Sequence, residues 1–363
     1  MGPPGSPRGG VSHAYAADLE MIKEARERIA PYAKKTPVHR CATIDALMRP
    51  ARVDLETPHD SDVSLFFKCE TFQKGGAFKF RGAINAVLSL DAAERERGVV
   101  THSSGNHAGA LALAARTVGV PAYIVVPHGA PACKLAAIEA YGGKITRCEP
   151  TVSARERCAE SLRRETGATL VPPYNHGPVI CGQGTVGAEF LEQVPDLDAV
   201  IVPVSGGGML AGIATAVKAI KPTCAVLAAE PEGLYGNGAD CAWAWAAGEM
   251  APATMPPPET VCDGLRAKLG DLTWPIVRDK VDGVLVVTER EVVEAMRLVF
   301  ERAKLVVEPS GAAGVAAALG PAFRAWNRAA PKWGRTLRAR AVGVVLCGGN
   351  VDLQALWSTY GLE

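Results

Sequence analysis

The amino-acid sequence predicts an α/β fold of mostly parallel sheets with helices on both faces. Strand-like and helix-like segments alternate along most of the chain, and such strands are usually joined by right-handed parallel crossovers. The segment 199–204 is apolar throughout, as expected for a strand that is buried on both faces. Three glycines follow it almost directly, and the pattern then becomes helical.

The elements predicted before residue 98 include two helices and a strand. Residues 1–14 are rich in proline and glycine and have no apolar period, so we expect them to be disordered. Apolar residues at helical spacing predict a helix over 15–30. A strand is predicted over 63–68, and a helix over 81–90.

From residue 98 to residue 176 the alternation is regular. The predicted strands are 99–100, 122–127, 144–147 and 169–171, and the predicted helices are 108–118, 133–141 and 153–166. We therefore predict two domains. The small domain comprises residues 98–176, and the large domain comprises residues 15–97 and 177–363.

The alternation continues beyond residue 176. The predicted strands are 199–204, 226–230, 284–287 and 342–346, and the predicted helices are 185–193, 210–220 and 289–304. These elements complete the expected parallel sheet of the large domain.

Composition excludes several classes of protein. The 363-residue chain has a formal net charge of +1, so neither nucleic acid nor a membrane surface is an expected partner. It has no uncharged apolar run of about 18 residues, so no membrane-spanning helix is expected. The ten cysteines form no Cys-x-x-Cys pair, which favours reduced thiols in a cytoplasmic protein over disulfides or structural zinc.

One lysine segment is the first candidate for chemistry. Lys79 lies between Phe78 and Phe80, and a lysine among apolar groups loses solvation, which favours its free amine. The free amine is the form that makes a Schiff base or acts as a base. Lys74 is the competing candidate, and for either residue the alternative is a surface lysine whose stem covers an aromatic ring.

A glycine loop is the second candidate. Ser205, Gly206, Gly207, Gly208 and Met209 join the strand 199–204 to the next helix. In such a unit the N–H groups and the helix N-terminus point to one place and can bind an anion. A tight turn without a ligand is the alternative.

The last predicted strand ends at Cys347. Ligands of open α/β sheets bind at the carboxyl ends of the strands, where this thiol lies. The alternative is a buried structural thiol.

Seven segments together resemble the β-family of pyridoxal-phosphate enzymes, which has a two-domain, tryptophan-synthase-β-like fold (fold type II). Within that family they are most similar to the racemases and dehydratases of serine and threonine. The segments are F-F-K-C-E-T-F-Q-K-G-G-A-F-K-F-R-G-A, H-S-S-G-N-H, P-A-Y-I-V-V-P, C-G-Q-G-T, V-P-V-S-G-G-G-M-L-A-G-I, V-V-E-P-S-G-A and C-G-G-N-V-D.

The resemblance implies a role for each matching residue. Lys79 would be the Schiff-base lysine, Asn106 would lie beside the phenolic oxygen of pyridoxal 5'-phosphate, and Cys347 would contact the pyridine nitrogen. The loop from Ser205 to Met209 would hold the phosphate. Residues near the substrate would be Ser103, Ser104, Gly105, Asn106, His107 and Asn175.

The resemblance also implies a divalent cation, Mg²⁺ or else Ca²⁺ or Mn²⁺. Glu230 and Asp240 could supply carboxylates, and Gly238 a carbonyl oxygen, as an octahedral oxygen site requires. Two solvated acids are the alternative, because the intervening loop is longer than in animal relatives. ATP stays open as an effector, because Gly75 and the Cys41-Ala42 pair replace residues of the animal nucleotide site.

The implied activity is racemisation of serine together with its dehydration to pyruvate and ammonia. Lys79 would remove the α-proton on one face, and Ser104 would deliver a proton on the other. The alternatives are an L-threonine/L-serine dehydratase without racemase activity, in which Ser104 only binds the carboxylate, and a ligand-binding protein without catalysis. A homodimer is expected.

Overall fold

The computed structural model describes residues 15–48, 63–103, 105–130, 132–236, 238–329 and 338–352, apart from the side chains of residues 132–134. The predicted disorder of residues 1–14 therefore lies outside the described residues. None of the described helices has the length and apolarity needed to cross a bilayer.

Among the described residues, ten strands form two separate sheets. In chain order the strands are β1 (Val38–His39), β2 (Ser64–Cys69), β3 (Val99–His102), β4 (Ala122–Pro127), β5 (Lys144–Cys148), β6 (Thr169–Leu170), β7 (Ala199–Pro203), β8 (Ala225–Pro231), β9 (Gly283–Val287) and β10 (Ala341–Leu346). The larger sheet has the order β1-β2-β10-β7-β8-β9, and the smaller has the order β5-β4-β3-β6.

Parallel pairing dominates both sheets. Only β1, at the edge of the larger sheet, pairs antiparallel with its neighbour β2 among the described strands. The smaller sheet consists of strands from within the predicted small domain. The domain boundaries themselves stay a prediction.

Fourteen α-helices are described. They are α1 (Leu19–Ile29), α2 (Ala42–Leu47), α3 (Lys79–Leu88), α4 (Ala92–Arg97), α5 (Asn106–Thr117), α6 (Ala132–Ala140), α7 (Val152–Thr166), α8 (Gly177–Gln193), α9 (Gly208–Ile220), α10 (Asp240–Ala247), α11 (Trp274–Lys280), α12 (Glu289–Leu298), α13 (Pro309–Leu319) and α14 (Pro321–Ala329). A π-helical turn, Val299–Ala303, follows α12, so the predicted helix 289–304 is not α-helical to its end.

The central strand β7 has helices on both of its faces, as predicted. Ile201 belongs to a core cluster that includes residues of α13 such as Val315. Val200 belongs to the opposite cluster, with Leu210 and Ile213 of α9. Because side chains alternate across a strand, an apolar residue at every position is what burial on both faces requires.

Helix α8 begins at Gly177, eight residues before the predicted start at 185. Pro178 lies in its first turn, where the missing N–H costs nothing. A Cβ at Gly182 would lie 2.6 Å from the carbonyl oxygen of Arg81 in α3, and one at Gly212 in α9 would lie 2.3 Å from that of Ile180. The glycines thus let α3 and α9 pack directly on the backbone of α8, which brings the starts of α3 and α9 near each other.

Candidate active site

Lys79 is the first residue of α3. Its Nζ donates a hydrogen bond to the carbonyl oxygen of Pro173 at 2.7 Å and lies 5.0 Å from the centre of the Phe78 ring. Loss of solvation lowers the pKa of the Lys79 amine to about 8, although Cys347 and Glu308 act in the opposite direction. Part of this amine is therefore unprotonated near neutral pH and can act as a nucleophile or base.

The competing lysine, Lys74, lies in a short 3-10 segment that ends at Gly76. Its Nζ is 5.5 Å from the ring centre of Phe80. Both lysines therefore lie near an aromatic ring, and what distinguishes Lys79 is its hydrogen bond to the carbonyl oxygen of Pro173 at the start of α3. The geometry favours Lys79.

The chain turns from β7 into α9 through the glycine loop. Gly207 has a φ of +87°, which favours glycine. A Cβ at Gly206 would lie 2.3 Å from Cδ2 of Tyr174. Because the N-cap residue Gly207 has no side chain, the first N–H groups of α9 are available to an anion.

Two residues of a neighbouring segment, Ala267 and Thr273, hold this turn in place. The Ser205 hydroxyl accepts a hydrogen bond from the Ala267 N–H at 3.0 Å, and the Thr273 hydroxyl donates to the carbonyl oxygen of Gly206 at 2.8 Å. Met209 is buried in the core, so only its backbone can face a ligand. The backbone of the loop is thus held by hydrogen bonds from within the protein.

Asn106 begins α5 and reaches the larger sheet. Its Nδ2 donates to Oε1 of Glu308 at 2.8 Å, and its Oδ1 accepts from Nδ2 of Asn350 at 3.0 Å. Asn350 Nδ2 also donates to the carbonyl oxygen of Gly75 at 2.7 Å. These contacts connect the start of α5 to the start of α13, to the residues after β10 and, through Asn350, to the segment that precedes Lys79.

The rest of the predicted substrate loop is only partly described. Ser104 lies outside the described residues. The Gly105 N–H donates to the Ser103 hydroxyl at 3.4 Å, and a Cβ at Gly105 would meet nothing within 4 Å, so this loop borders open space. His107 is buried, its Nε2 lies 2.9 Å from the carbonyl oxygen of Val171, and burial lowers its pKa to about 3. The His107 ring is neutral and points into the interior.

Cys347 follows the central strand β10 and is buried. Burial raises the pKa of its thiol well above the usual value, and the charge of Glu308 adds to this. The carbonyl oxygen of Cys347 accepts from the Phe78 N–H at 3.0 Å, so the thiol lies beside the start of α3. A neutral thiol here can offer only weak hydrogen bonding to a ligand.

Three consecutive residues after β6 join these parts. Pro173 receives the Lys79 hydrogen bond, Tyr174 packs against Gly206, and Asn175 contacts the loop before α11. Asn175 Oδ1 accepts from the Leu272 N–H at 3.0 Å. Asn175 therefore connects the segment after β6 to the loop before α11, and its place near the substrate, implied by the family resemblance, stays a prediction.

The predicted metal ligands lie at the end of β8. The Glu230 carboxylate accepts from the N–H groups of Cys241 and Ala242, both at 2.8 Å, and Asp240 Oδ2 accepts from Leu269 N–H at 3.1 Å. Burial raises the pKa of Glu230 to about 8, with a further contribution from Asp240.

Asp240 itself also has a raised pKa, of about 6, because it is buried. The Gly238 carbonyl oxygen accepts from the Asp240 N–H at 3.1 Å. Among the described residues there is no group of three or more His, Cys, Asp and Glu side chains that could hold a metal. The two acids would need backbone or water oxygens to complete a cation site.

Sequence reasoning gave no role to Tyr174, Glu308 or Asn350, which all contact predicted site residues. A signal was present for two of them, because Glu308 and Asn350 lie inside segments that carry the family resemblance. Tyr174 lies next to Asn175 but outside those segments.

Comparison with known proteins identifies the family. Residues 30–337 match the family model described as pyridoxal-phosphate dependent enzyme. The chain belongs to this family. Over 346 residues it is 50% identical to the serine racemase of Arabidopsis thaliana, a match that covers 95% of this chain and 97% of that protein.

Solved structures show the same fold. The structure of maize serine racemase matches with a TM-score of 0.85 at 47% identity and covers 96% of this chain and 98% of that chain. The crystal structure of a T.th. threonine deaminase matches with a TM-score of 0.80 at 38% identity. This match covers 93% of this chain and 99% of that chain. The predicted fold type II architecture and the predicted enzyme class are confirmed.

The residues present fit pyridoxal phosphate. The cofactor needs an amine for its aldehyde, donors for its phosphate and a flat slot for its ring. Lys79 has a lowered pKa, and the glycine loop presents free backbone N–H groups with no room for a side chain at Gly206. The buried thiol of Cys347, beside the start of α3, could serve as a neutral partner for the ring nitrogen.

Proposed function

We propose that this protein is a serine racemase that also dehydrates serine to pyruvate and ammonia. The near full-length match to the serine racemase of Arabidopsis thaliana, at 50% identity, carries the proposal. The solvent-deprived amine of Lys79, beside Asn106 and the glycine loop, supports it chemically.

Each part of the cofactor would have its own protein partner. Lys79 would hold the aldehyde carbon, the loop from Ser205 to Met209 would hold the phosphate, and Asn106 would face the phenolic oxygen. Cys347 would face the pyridine nitrogen. When bound, pyridoxal phosphate supplies an electron sink that stabilises negative charge at the substrate α-carbon.

The protein would supply the proton transfers. Lys79, whose pKa is about 8, would take the α-proton on one face of the substrate. Ser104 would return a proton on the other face, which inverts the configuration. The substrate carboxylate would be held by the loop that contains Ser103, Gly105 and His107, with Asn175 at the edge of the site.

An L-threonine/L-serine dehydratase without racemase activity is the second candidate. The 38% identity to a threonine deaminase over 93% of the chain favours it. Elimination needs a base at the α-carbon and an acid at the leaving oxygen, but no proton donor on the opposite face. The second candidate therefore differs from the first in the role of Ser104.

A divalent cation would bind at Glu230 and Asp240, with the carbonyl oxygen of Gly238 as a further ligand. Both carboxyl groups are buried and have raised pKa values, so their charges are costly without a partner. A cation such as Mg²⁺ would offset that cost. A homodimer in the cytoplasm completes the proposal, and ATP stays open as an effector.

Incubation of the purified protein with L-serine tests the proposal. D-serine and pyruvate should both appear, and they are measured in the same samples by chiral chromatography and a coupled assay. Pyruvate without D-serine would select the dehydratase, and the absence of both products would overturn the proposal.

A further inference from the structure

A cluster of four buried charges lies behind the start of α3. Lys68, Glu70, Arg81 and Glu189 are 0%, 0%, 2% and 6% exposed. The two positive and two negative side chains balance one another in charge. They come from β2, the segment after it, α3 and α8.

Arg81 is the centre of this cluster. Its Nε and Nη2 donate to the two oxygens of Glu70, both at 2.8 Å. Its Nη2 and Nη1 donate to the two oxygens of Glu189 at 2.9 and 3.1 Å. A planar guanidinium held by two carboxylates in this way has a fixed orientation, unlike a lysine ammonium at the same place.

The carboxylates are themselves held from other elements. Lys68 Nζ contacts Glu189 and donates to the carbonyl oxygen of Thr36 at 2.7 Å. The Thr36 hydroxyl donates to Glu70 Oε1 at 2.6 Å. Glu70 and Glu189 are therefore held in place from elements other than α3. If α3 rotated, the hydrogen bonds from Arg81 to these two carboxylates would break.

Beside Arg81, glycines rather than interlocking apolar side chains form the contact between α3 and α8, whereas the apolar side chains of α3 pack in a core cluster with α5. A Cβ at Gly182 would lie 2.7 Å from the Cα of Gly82, and the Gly82 N–H donates a hydrogen bond to Gln183 Oε1 of α8 at 3.1 Å. Two glycines present no side chains that interlock. A buried ionic group can instead select one arrangement among several of similar packing energy.

Lys79 and Arg81 are two residues apart in α3. At about 100° per residue, their side chains leave the helix on nearly opposite sides. Lys79 points to Pro173 and Arg81 points to the cluster. A rotation of α3 that displaced one side chain would displace the other.

We propose that Arg81 is a positioning residue that, through Glu70 and Glu189, fixes the rotation of α3 and so aims Lys79 at the cofactor. The inference rests on the proposed role of Lys79 as the cofactor lysine. A simply stabilising cluster would lower stability when broken without changing the direction in which Lys79 points.

The test compares Arg81→Lys with Asn327→Ala in the holoenzyme. Asn327 is a buried polar residue of α14 that holds both backbone groups of Ala339, so its loss also lowers stability. Three quantities are measured: the melting temperature, the visible circular dichroism of the bound cofactor at equal cofactor content, and kcat and KM for L-serine.

Both variants should have a lower melting temperature. Only Arg81→Lys should lose most of the visible dichroism, which reports the orientation of the bound cofactor. Its kcat should fall about tenfold to a hundredfold, as expected for a misplaced reacting group, with KM nearly unchanged. Asn327→Ala should keep both the visible dichroism and the kcat of the wild-type protein.

Unchanged dichroism and kcat in Arg81→Lys would overturn the inference, as would an equal loss in both variants. If Arg81→Lys does not fold, Glu70→Gln replaces it, because it keeps the shape and removes one charge that orients Arg81; the same outcomes then decide. A wild-type protein that makes neither D-serine nor pyruvate would overturn the proposed function, whereas the dichroism comparison would still decide the role of Arg81.

Discussion

Lys79 combines a lowered pKa with a place at the very start of a helix. Replacing it with alanine should abolish both the racemisation and the dehydration of serine, because no other described amine lies at this place beside Asn106 and Cys347. The protein should stay folded, because Lys79 as a residue is only partly buried and the hydrogen bond that is lost is the one to the carbonyl oxygen of Pro173. Activity assays and a thermal melt of Lys79→Ala check this, with Lys74→Ala as the matched control. An inactive Lys74→Ala beside an active Lys79→Ala would reverse the assignment.

The pKa of Lys79 predicts how cofactor uptake depends on pH. Only the unprotonated amine attacks an aldehyde, so the rate should be low below pH 8 and should rise through a midpoint of about 8. The visible absorbance after pyridoxal phosphate is mixed with cofactor-free protein measures this rate. Lys74→Ala should show the same midpoint. A midpoint near that of an ordinary lysine, about 10.4, would contradict the effect of burial.

Ser104 distinguishes the two candidate reactions. Racemisation needs an acid–base group on each face of the substrate, whereas elimination needs a base on one face only. Ser104→Ala should therefore lose D-serine formation and keep L-serine dehydration within about an order of magnitude, a barrier change of about 1.4 kcal/mol or less. Both products are followed from L-serine. A parallel loss of the two would make Ser104 a binding residue, and surviving racemisation would locate the second proton donor elsewhere.

At the scale of elements, the glycine loop before α9 should be intolerant of side chains. In Gly207→Ala the Cβ would lie 2.8 Å from Leu269 and Thr273, and φ is +87°. We expect cofactor affinity to fall at least tenfold, equivalent to about 1.4 kcal/mol. Gly119→Ala is the control, because Gly119 has a φ of +72° with nothing within 4 Å. Equal cofactor affinity in the two variants would show that the crowding at Gly207 is harmless.

Local patterns predicted most elements, and non-local contacts explain the failures. The strand 199–204 was recognisable because both of its faces are buried, and the observed strand is Ala199–Pro203. The first two turns of α8 were missed because Pro178 and the glycines after it resemble a loop. Their helical conformation depends on packing against α3 and α9, which the local sequence does not encode.

The same distinction holds at the site. Lys79 and the glycine loop have local signatures, a lysine among aromatics and a glycine run after an apolar strand. The contact between Asn106 and Glu308 joins residues 202 positions apart. It depends on how α5 packs against the start of α13. The family resemblance implied a role for Asn106, whereas no local pattern indicated its contact with Glu308.

For the whole molecule, Mg²⁺ or Ca²⁺ should raise both stability and activity through Glu230 and Asp240. A ligand that binds only the native state at 100 times its Kd adds about 2.7 kcal/mol. The melting temperature of protein freed of metal should rise with Mg²⁺ and fall again with chelator, and Glu230→Gln should abolish this response. A metal-free protein that responds to neither would remove the cation from the proposed function.

The strand order of the larger sheet has a consequence for synthesis. Its last strand in the chain, β10, lies in the middle, between β2 and β7. Until residues 341–346 have left the ribosome, β2 and β7 expose unpaired edges on their facing sides, and unpaired edges promote aggregation. The strands of the smaller sheet all precede residue 171, so this sheet can complete its pairing before β10 is synthesised. Nascent chains stalled before β10 should therefore protect the region of the smaller sheet from proteolysis well before that of the larger one.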